Sequence, residues 1–223
     1  MIKLVAFDWN GTLLSDTALA WQAGNRTFKI YGIKPISLTG FKRTFTIPIK
    51  DYWKANGLKK KIDFLKQSRI YHGFYEKMAE KARTRTGSRE VLEWLKTQKT
   101  KKVIYSNHLI SEITKHLVRL NVSDFFDEIL ARPDGDHSQL HFRSKDQKLF
   151  QYIHQHKIKP QEVITIGDTE EEIEIGKKFG FYTVALTGGW NGTQRLKKHK
   201  PDFLIHNMQG LIKIIKSINA NLR

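Results

Sequence analysis

Four groups of polar residues lie at the ends of predicted structural elements, and their side chains are of the types that transfer phosphoryl groups. Residues 8–12 (DWNGT) and residues 106–107 (SN) each follow a predicted β-strand. Lys145 begins a predicted helix, and residues 167–168 (GD) follow a further strand. Each group alone has an ordinary explanation, such as a turn or a helix cap. Because ligands of doubly wound sheets bind outside the carboxyl ends of the strands, we expect the four groups to meet in one crevice.

The chemistry that these side chains suit is the attack of a carboxylate on phosphorus. Such a reaction needs a nucleophile, a metal ion that neutralises phosphate oxygens, and fixed hydrogen-bond donors. Asp8 and Asp168 can bring two carboxylates to one Mg²⁺. Lys145 supplies positive charge and Ser106 a hydroxyl donor. Gly11 has no Cβ, so backbone amides beside it can approach an anion closely.

The elements that position these residues alternate between strands and helices. Apolar runs predict strands at 2–7, 102–105, 128–130, 163–166, 182–186 and 203–205. Helical periodicity predicts helices at 88–95, 110–120, 145–156, 170–179 and 211–218. This alternation predicts an α/β fold, a doubly wound parallel sheet with right-handed crossovers.

Residues 15–86 interrupt this pattern, because they contain no comparable strand. Apolar residues recur at helical spacing from Tyr71 to Ala82, and glycines and prolines divide the segment into short helices. We therefore predict a core domain made of residues 1–14 and 87–223, with an inserted helical domain at 15–86.

Charge is unevenly distributed along the 223 residues. The formal net charge is +17, and residues 15–86 carry +11 of it, with 16 Lys and Arg against 5 Asp and Glu. Such a surface attracts anions, so a phosphorylated small molecule or a nucleic acid is a possible partner, although no nucleic-acid-binding motif is present. The basic insert is expected to face the active site, where Arg43, Arg83 and Arg85 are candidate anion contacts.

Several classes of protein are excluded by composition. There are no cysteines, which excludes disulfide scaffolds, thiolate zinc sites and a cysteine nucleophile. No apolar run is long enough for a membrane helix, and Met1 leads directly into the first strand. We expect a cytoplasmic protein without a membrane partner, and the sequence does not indicate its oligomeric state.

The order and spacing of the motifs resemble the haloacid dehalogenase superfamily, and most of all its phosphoglycolate-phosphatase-like branch. Residues 8–13 (DWNGTL) are similar to the family's first motif, Asp-x-Asp-Gly-Thr-Leu, and Ser106 to its second. Lys145 resembles the family lysine, and residues 167–173 (GDTEEEI) resemble the fourth motif, Gly-Asp-Thr-x-x-Asp-Ile. The insert resembles a helical cap that closes over small substrates.

The resemblance implies a role for each matching residue. It implies that Asp8 attacks phosphorus and forms an aspartyl-phosphate. It also implies that Mg²⁺ is bound by Asp8, Asp168 and the backbone carbonyl of Asn10, with Glu172 at or near the metal. The phosphoryl oxygens are expected to be held by the residues of the first two motifs and the lysine, namely Gly11, Thr12, Ser106, Asn107 and Lys145.

Two positions depart from the family pattern. Glu172 replaces an aspartate, which is a mild change because a longer carboxylate can still reach a metal through water. Asn10 replaces the aspartate that protonates the leaving group and later activates water. An amide cannot exchange a proton near neutral pH, and general acid–base catalysis contributes about 10²–10⁴ in rate.

The substitution at Asn10 leaves several functions open. The protein is a slow phosphatase, a phosphatase for substrates with good leaving groups, or a weakly active protein that binds phosphate for regulation. An enzyme acting on nucleic-acid ends is a further alternative. Asn10 could instead only order its turn. No metal site is predicted at His137 and His141, in a loop, or at His154 and His156, on a polar helix end.

Overall fold

A parallel six-stranded sheet forms the centre of the computed structural model, which describes residues 1–59, 61–136 and 145–221. The strands are β1 (Leu4–Phe7), β2 (Lys101–Leu109), β3 (Glu128–Arg132), β4 (Val163–Gly167), β5 (Tyr182–Leu186) and β6 (Phe203–Ile205). Their spatial order is β3-β2-β1-β4-β5-β6, and every neighbouring pair is parallel. The predicted doubly wound α/β fold is confirmed.

Strand β1 lies at the middle of the sheet because its side chains are apolar on both faces. Successive side chains of a strand point to opposite faces. Val5 and Phe7 pack into the hydrophobic cluster on one face, and Leu4 and Ala6 pack into the cluster on the other. The strand order reverses at β1, which pairs with β2 on one side and with β4 on the other. This reversal opens a crevice beyond the carboxyl end of β1.

The helices cover both faces of the sheet and fill the insert. They are α1 (Thr17–Ile30), α2 (Leu38–Thr44), α3 (Ile49–Ala55), α4 (Phe64–Ala79), α5 (Ser88–Thr97), α6 (Ile110–Arg119), α7 (Lys145–Gln155), α8 (Glu170–Phe179), α9 (Thr193–Lys198) and α10 (Gly210–Asn221). Helix α9 was not predicted, because six residues are too few for a clear periodicity. None of the helices in the described ranges is long and apolar enough to cross a bilayer.

Strand β2 is longer than its apolar core indicates. It continues to Leu109, so Ser106 and Asn107 lie within the strand. The expectation that these two residues follow the strand was wrong. Pairing with β3 explains the extension, because β2 residues pair with β3 from Val103 to Leu109, with an irregular register between Tyr105 and Leu109.

Helices α1–α4 pack around a hydrophobic cluster of their own, which includes Phe28, Phe41 and Trp53. The chain leaves and re-enters the sheet region at adjacent points. Ser15 N–H donates to the carbonyl of Arg83 at 2.8 Å, and Arg85 N–H donates to the carbonyl of Leu13 at 2.8 Å. The proposed division into residues 15–86 and the remaining core stays a prediction.

Candidate active site

Asp8 lies at the end of the central strand, between the neighbouring strands that carry the other motifs. In the sheet register, Phe7 pairs with Ile104 on β2 and with Ile166 on β4. The Asp8 N–H donates to the carbonyl of Ile166 at 2.9 Å, which continues the ladder one residue beyond β1. The motifs on β1, β2 and β4 therefore meet at one edge of the sheet.

Lys145 is the centre of a buried group of charges. Its Nζ lies 3.0 Å from Asp8 Oδ1 and 3.2 Å from Glu171 Oε2, and it also contacts Glu172 Oε1. Burial would lower the pKa of this ammonium group, but the three carboxylates outweigh burial and raise it well above its usual value. Lys145 is therefore charged, and it draws together residues from β1, α7 and α8.

The carboxyl group of Asp8 is itself strongly perturbed. Burial raises the pKa of Asp8 well above its usual range, Lys145 opposes this effect, and Glu172 and Asp168 add to it. One ammonium group thus faces several buried carboxylates. Ionising these carboxyl groups together would leave an excess of negative charge, which a further cation would relieve.

Asp168 is fully buried and is not among the cavity-lining residues. Its Oδ1 accepts a hydrogen bond of 2.6 Å from the hydroxyl of Thr12, and its Oδ2 accepts one from the N–H of Trp190. Burial raises the pKa of Asp168 to about 7, and the charge of Glu172 contributes to the shift. A Cβ on Gly11 would lie 2.2 Å from Asp168 Oδ2, so this close approach requires glycine.

Helix α8 holds Glu172 through its first turn. Thr169 is the N-cap residue, and its N–H and hydroxyl both donate to Glu172 Oε2, at 3.0 and 2.6 Å. A Cβ on Gly167 would lie 2.0 Å from Glu172 Cγ, so the glycine of this motif makes room for the glutamate. The other carboxylate oxygen of Glu172, Oε1, contacts the ammonium group of Lys145.

The second motif places the hydroxyl of Ser106 and the amide of Asn107 at the cavity, and the amide is already hydrogen-bonded. Ser106 lines the cavity, and its Oγ accepts a hydrogen bond from the N–H of His108 at 3.1 Å. Asn107 also lines the cavity, and its Nδ2 donates to Glu171 Oε2 at 2.8 Å. Asn107 was predicted to bind phosphate, but its N–H₂ group already has a carboxylate partner.

Asn10 is held by a buried aspartate that was not predicted as a site residue. Its Nδ2 lies 2.7 Å from Asp16 Oδ2 and 2.7 Å from Tyr75 Oη. Asp16 also accepts hydrogen bonds from the Tyr75 hydroxyl, the Trp190 indole and the Gly11 N–H. Burial raises the pKa of Asp16, and these hydrogen bonds oppose the rise. Both hydrogens of the Asn10 Nδ2 group thus have an acceptor, which orients the side chain.

Two residues predicted to contact phosphate do not line the cavity. The N–H of Gly11 donates to Asp16 Oδ1 at 2.7 Å, and the hydroxyl of Thr12 donates to Asp168. These donors face inward because the turn after β1 folds back over Asp16 and Asp168. Gly11 and Thr12 are placed to position the two aspartates.

Two buried acids were missed by sequence reasoning. Glu171 contacts both Lys145 and Asn107, and Asp16 holds Asn10. A run of three glutamates at the start of α8 gave a signal for Glu171, because a first-turn residue of this helix lies at the sheet edge. Asp16 gave no comparable signal, because a lone aspartate before a helix usually caps it.

The cavity above Asp8 is mainly apolar. Helices α1–α4 line it with aromatic and aliphatic side chains, among them Phe41, Phe45, Ile49, Tyr52, Trp53 and Tyr71. In the part of the chain that the structure describes, Lys145 is the only Lys or Arg that lines it. The expectation that the basic side chains of residues 15–86 face the site is therefore wrong for the residues that the structure describes. Arg85 instead donates to the carbonyls of Gly11 and Thr187, at 2.9 and 2.7 Å.

A comparison with families of known proteins agrees with this geometry. The family model described as haloacid dehalogenase-like hydrolase matches residues 5–186. The chain belongs to this family. The predicted family membership and the prediction of a hydrolase are both confirmed.

Individual relatives of this haloacid dehalogenase-like hydrolase cover nearly its whole length. The chain is 25% identical over 226 residues to the pyrophosphatase PpaX of Bacillus thuringiensis, covering 99% of both chains. A haloacid dehalogenase-like hydrolase of Streptococcus pneumoniae has a similar structure, with a TM-score of 0.80, 21% identity and coverage of 96% and 98%. A predicted phosphoglycolate phosphatase of Haemophilus somnus has a TM-score of 0.75, 18% identity and the same coverage.

Proposed function

We propose that this haloacid dehalogenase-like hydrolase is a Mg²⁺-dependent phosphatase that cleaves a small phosphate monoester through a phosphorylated Asp8. The observation that carries the proposal is the position of Asp8. It lies at the base of the cavity, at the end of the central strand, with Lys145 Nζ 3.0 Å from Oδ1. The similarity to the pyrophosphatase PpaX and to the predicted phosphoglycolate phosphatase of Haemophilus somnus also supports a phosphatase.

The carboxylates around Asp8 fit a bound Mg²⁺. Asp8, Asp168 and Glu172 are buried together, and Lys145 is the ammonium group that balances them. Burial raises the pKa of both aspartates, so ionising them requires more positive charge nearby. We propose that Asp8, Asp168 and the carbonyl of Asn10 hold the ion, with Glu172 beside them. When bound, Mg²⁺ would neutralise phosphoryl oxygens.

Removing the carboxylate of Asp168 should alter how stability depends on pH. Folding raises this pKa from about 3.9 to about 7, so the folded state prefers the protonated group. That preference stabilises the metal-free protein below pH 4 and is lost as pH rises from about 4 to about 7. The unfolding free energy of wild type relative to Asp168→Asn should therefore fall across this window. Urea unfolding at several pH values, with each protein free of metal, measures the difference.

Comparing wild type with Asp168→Asn cancels the contributions that all other titrating groups make to the unfolding free energy. Adding Mg²⁺ at pH 8 should stabilise the wild type and have a smaller effect on Asp168→Asn. The exposed carboxylate of Asp51 provides a matched control, since Asp51→Asn should behave as wild type. An Asp168→Asn protein with the wild-type pH profile and the wild-type response to Mg²⁺ would contradict the proposed metal site.

The proposed reaction uses the residues of this chain in two displacement steps. In the first step an oxygen of Asp8 attacks phosphorus, the bond from phosphorus to the ester oxygen breaks, and the alcohol leaves as its anion. Lys145 holds Asp8 and offsets charge on the phosphoryl oxygens, and Ser106 offers its hydroxyl to them. In the second step water attacks the phosphorylated Asp8, which releases orthophosphate and restores the carboxylate.

Asn10 limits which substrates the first step can use. It lies at the cavity, but both of its amide hydrogens are donated to Asp16 and Tyr75, and the amide cannot give a proton to the departing anion. Esters of acidic alcohols, such as phenols, need no such proton. We therefore propose that the enzyme favours substrates with good leaving groups.

The apolar cavity wall indicates that the organic group of the substrate is itself apolar. We propose that residues 15–86 form a cap whose aromatic side chains contact this group. Esters with longer alkyl chains should then have higher kcat/KM than short polar esters with a similar leaving group. Each methylene buried contributes about 0.8 kcal/mol, or roughly a fourfold increase. Rates measured for a series of alkyl phosphates, with glycerol phosphate as the polar reference, test this expectation.

A lysine placed in the cavity wall should reverse the preference. Ile49 lines the cavity, so Ile49→Lys should lower kcat/KM for octyl phosphate and raise it for phosphoglycolate. Ile30→Lys is a matched control, because Ile30 is 56% exposed and is not among the cavity-lining residues. If chain length has no effect in wild type and the two variants behave alike, the proposed substrate class is wrong, although phosphatase activity itself would stand.

A further inference from the structure

Helix α4 and strand β2 bring two histidines and a glutamate together at the cavity wall. His72 and Glu76 lie one turn apart on α4, and His108 lies on β2. His72 Nδ1 is 3.3 Å from Glu76 Oε1, and His108 Nε2 is 3.4 Å from the same oxygen. Both histidines line the cavity. These residues belong to none of the motifs that predicted the active site.

The spacing of the three ligand atoms suits a metal ion. Zinc binds histidine nitrogen and carboxylate oxygen at about 2.0–2.2 Å, so tetrahedral ligands lie about 3.4 Å apart. The two separations given above, 3.3 and 3.4 Å, match this value. All three ligand atoms lie within 4.8 Å of one another. A cation could therefore enter with small side-chain movements.

A buried ring nitrogen in this cluster also lacks a hydrogen-bond partner. His108 is 6% exposed, and no hydrogen bond is made by its Nε2 within the described ranges of the chain. Leaving a buried polar atom unpaired costs about 1–3 kcal/mol, so such an atom commonly has a ligand.

A third histidine, His116, lies near the second carboxylate oxygen of Glu76. This oxygen, Oε2, is buried and has no hydrogen-bond partner among the described residues. His116 Nδ1 accepts a hydrogen bond from Arg119 Nε at 3.3 Å, so the proton of a neutral His116 ring is on Nε2. That Nε2 lies 3.9 Å from Glu76 Oε2. This distance is too long for a hydrogen bond, so Glu76 Oε2 and His116 Nε2 both lack a hydrogen-bond partner among the described residues.

We propose that His72, Glu76 and His108 form a site for a divalent transition-metal ion of the Zn²⁺ type, joining α4 to β2 at the cavity wall. Imidazole nitrogens favour Zn²⁺ and related ions, whereas Mg²⁺ favours oxygen ligands. The site is therefore chemically distinct from the carboxylate-rich site at Asp8 and Asp168. Its occupation would fix the helix that carries Tyr75, and with it one wall of the cavity.

Cobalt binding provides a direct test, because Co²⁺ with nitrogen and oxygen ligands absorbs visible light. The full-length protein is stripped with a chelator, dialysed, and titrated with Co²⁺ in excess Mg²⁺, which occupies oxygen-rich sites. We expect one equivalent of Co²⁺ to give tetrahedral absorption bands that Zn²⁺ abolishes. His72→Ala and Glu76→Gln should each weaken this binding by more than about tenfold, because each removes one of three ligands.

Two further variants separate this site from the rest of the molecule. Asp168→Asn should retain the cobalt spectrum, because Asp168 is not one of the ligands. His154→Ala removes an exposed histidine on α7 and should bind cobalt as wild type does. Circular dichroism establishes that each variant is folded. The proposal is overturned if folded wild type binds no Co²⁺ or Zn²⁺ at 100 micromolar, or if folded His72→Ala and Glu76→Gln both bind as tightly as wild type.

Discussion

The Asp8→Asn variant should lose phosphatase activity by a factor on the order of 10⁶, the scale of loss seen when the nucleophile of a covalent mechanism is removed. An amide at this position cannot form the proposed aspartyl-phosphate. Phosphate release from p-nitrophenyl phosphate in the presence of Mg²⁺ measures the effect. In wild type, rapid quenching followed by hydroxylamine should trap the acyl phosphate, and in the variant it should trap none.

A structural explanation of this loss can be separated from a catalytic one. Asp8 is a buried carboxylate whose pKa is raised well above its usual value, so the folded state gains little from its charge. Lys145 keeps Glu171 and Glu172 as partners in the variant. Asp8→Asn should therefore unfold at a urea concentration no lower than wild type. A stable variant that retains a tenth of the wild-type rate would show that Asp8 is not the nucleophile.

Replacing Asn10 with aspartate should accelerate alkyl phosphate hydrolysis by about 10²–10⁴, the usual contribution of a general acid. The new carboxyl group would lie beside Asp16, since Asn10 Nδ2 is now 2.7 Å from Asp16 Oδ2. Two buried carboxyl groups at this distance cannot both ionise, so one of them keeps its proton near neutral pH. The variant would then have a proton to give to the departing alkoxide.

The choice of substrate decides whether the gain comes from proton transfer. Aryl phosphates leave as stable anions, so Asn10→Asp should accelerate them much less than alkyl phosphates. The double variant Asn10→Asp/Asp16→Asn is a control, because without its neighbouring carboxylate the new acid should ionise at lower pH. The pH above which kcat falls should shift downward in the double variant. Equal acceleration of aryl and alkyl esters would contradict the role assigned to position 10.

The sheet and its site edge could be predicted because they depend on local signals. Apolar runs such as Leu4–Phe7 can only be buried on both faces of a parallel sheet, and alternating helices set the direction of each strand. Polar residues that end such strands then share one edge of the sheet. Asp8, Ser106, Lys145 and Asp168 were predicted together for this reason. The structure places the first three at the cavity, and Asp168 is buried outside its lining.

Contacts between distant elements could not be predicted in the same way. Glu171 reaches Lys145 across 26 residues of sequence, and Glu76 reaches His108 across 32. Neither contact follows from periodicity, which reports the side of an element that is buried and not its neighbour. The basic composition of the insert was misleading for a related reason. Charge counted along the chain does not reveal that the cavity-facing side of α1–α4 is apolar.

The amino-acid sequence alone determined the α/β class, the order of the motifs, the membership of a hydrolase family and the loss of an acid at position 10. These depend on residue types and on spacing along the chain. Only the tertiary structure decided that Thr12 supports Asp168, that Asp16 holds Asn10, and that two histidines meet Glu76 at the cavity wall. Such pairings depend on how helices pack on the sheet, because packing brings together side chains that local patterns leave unrelated.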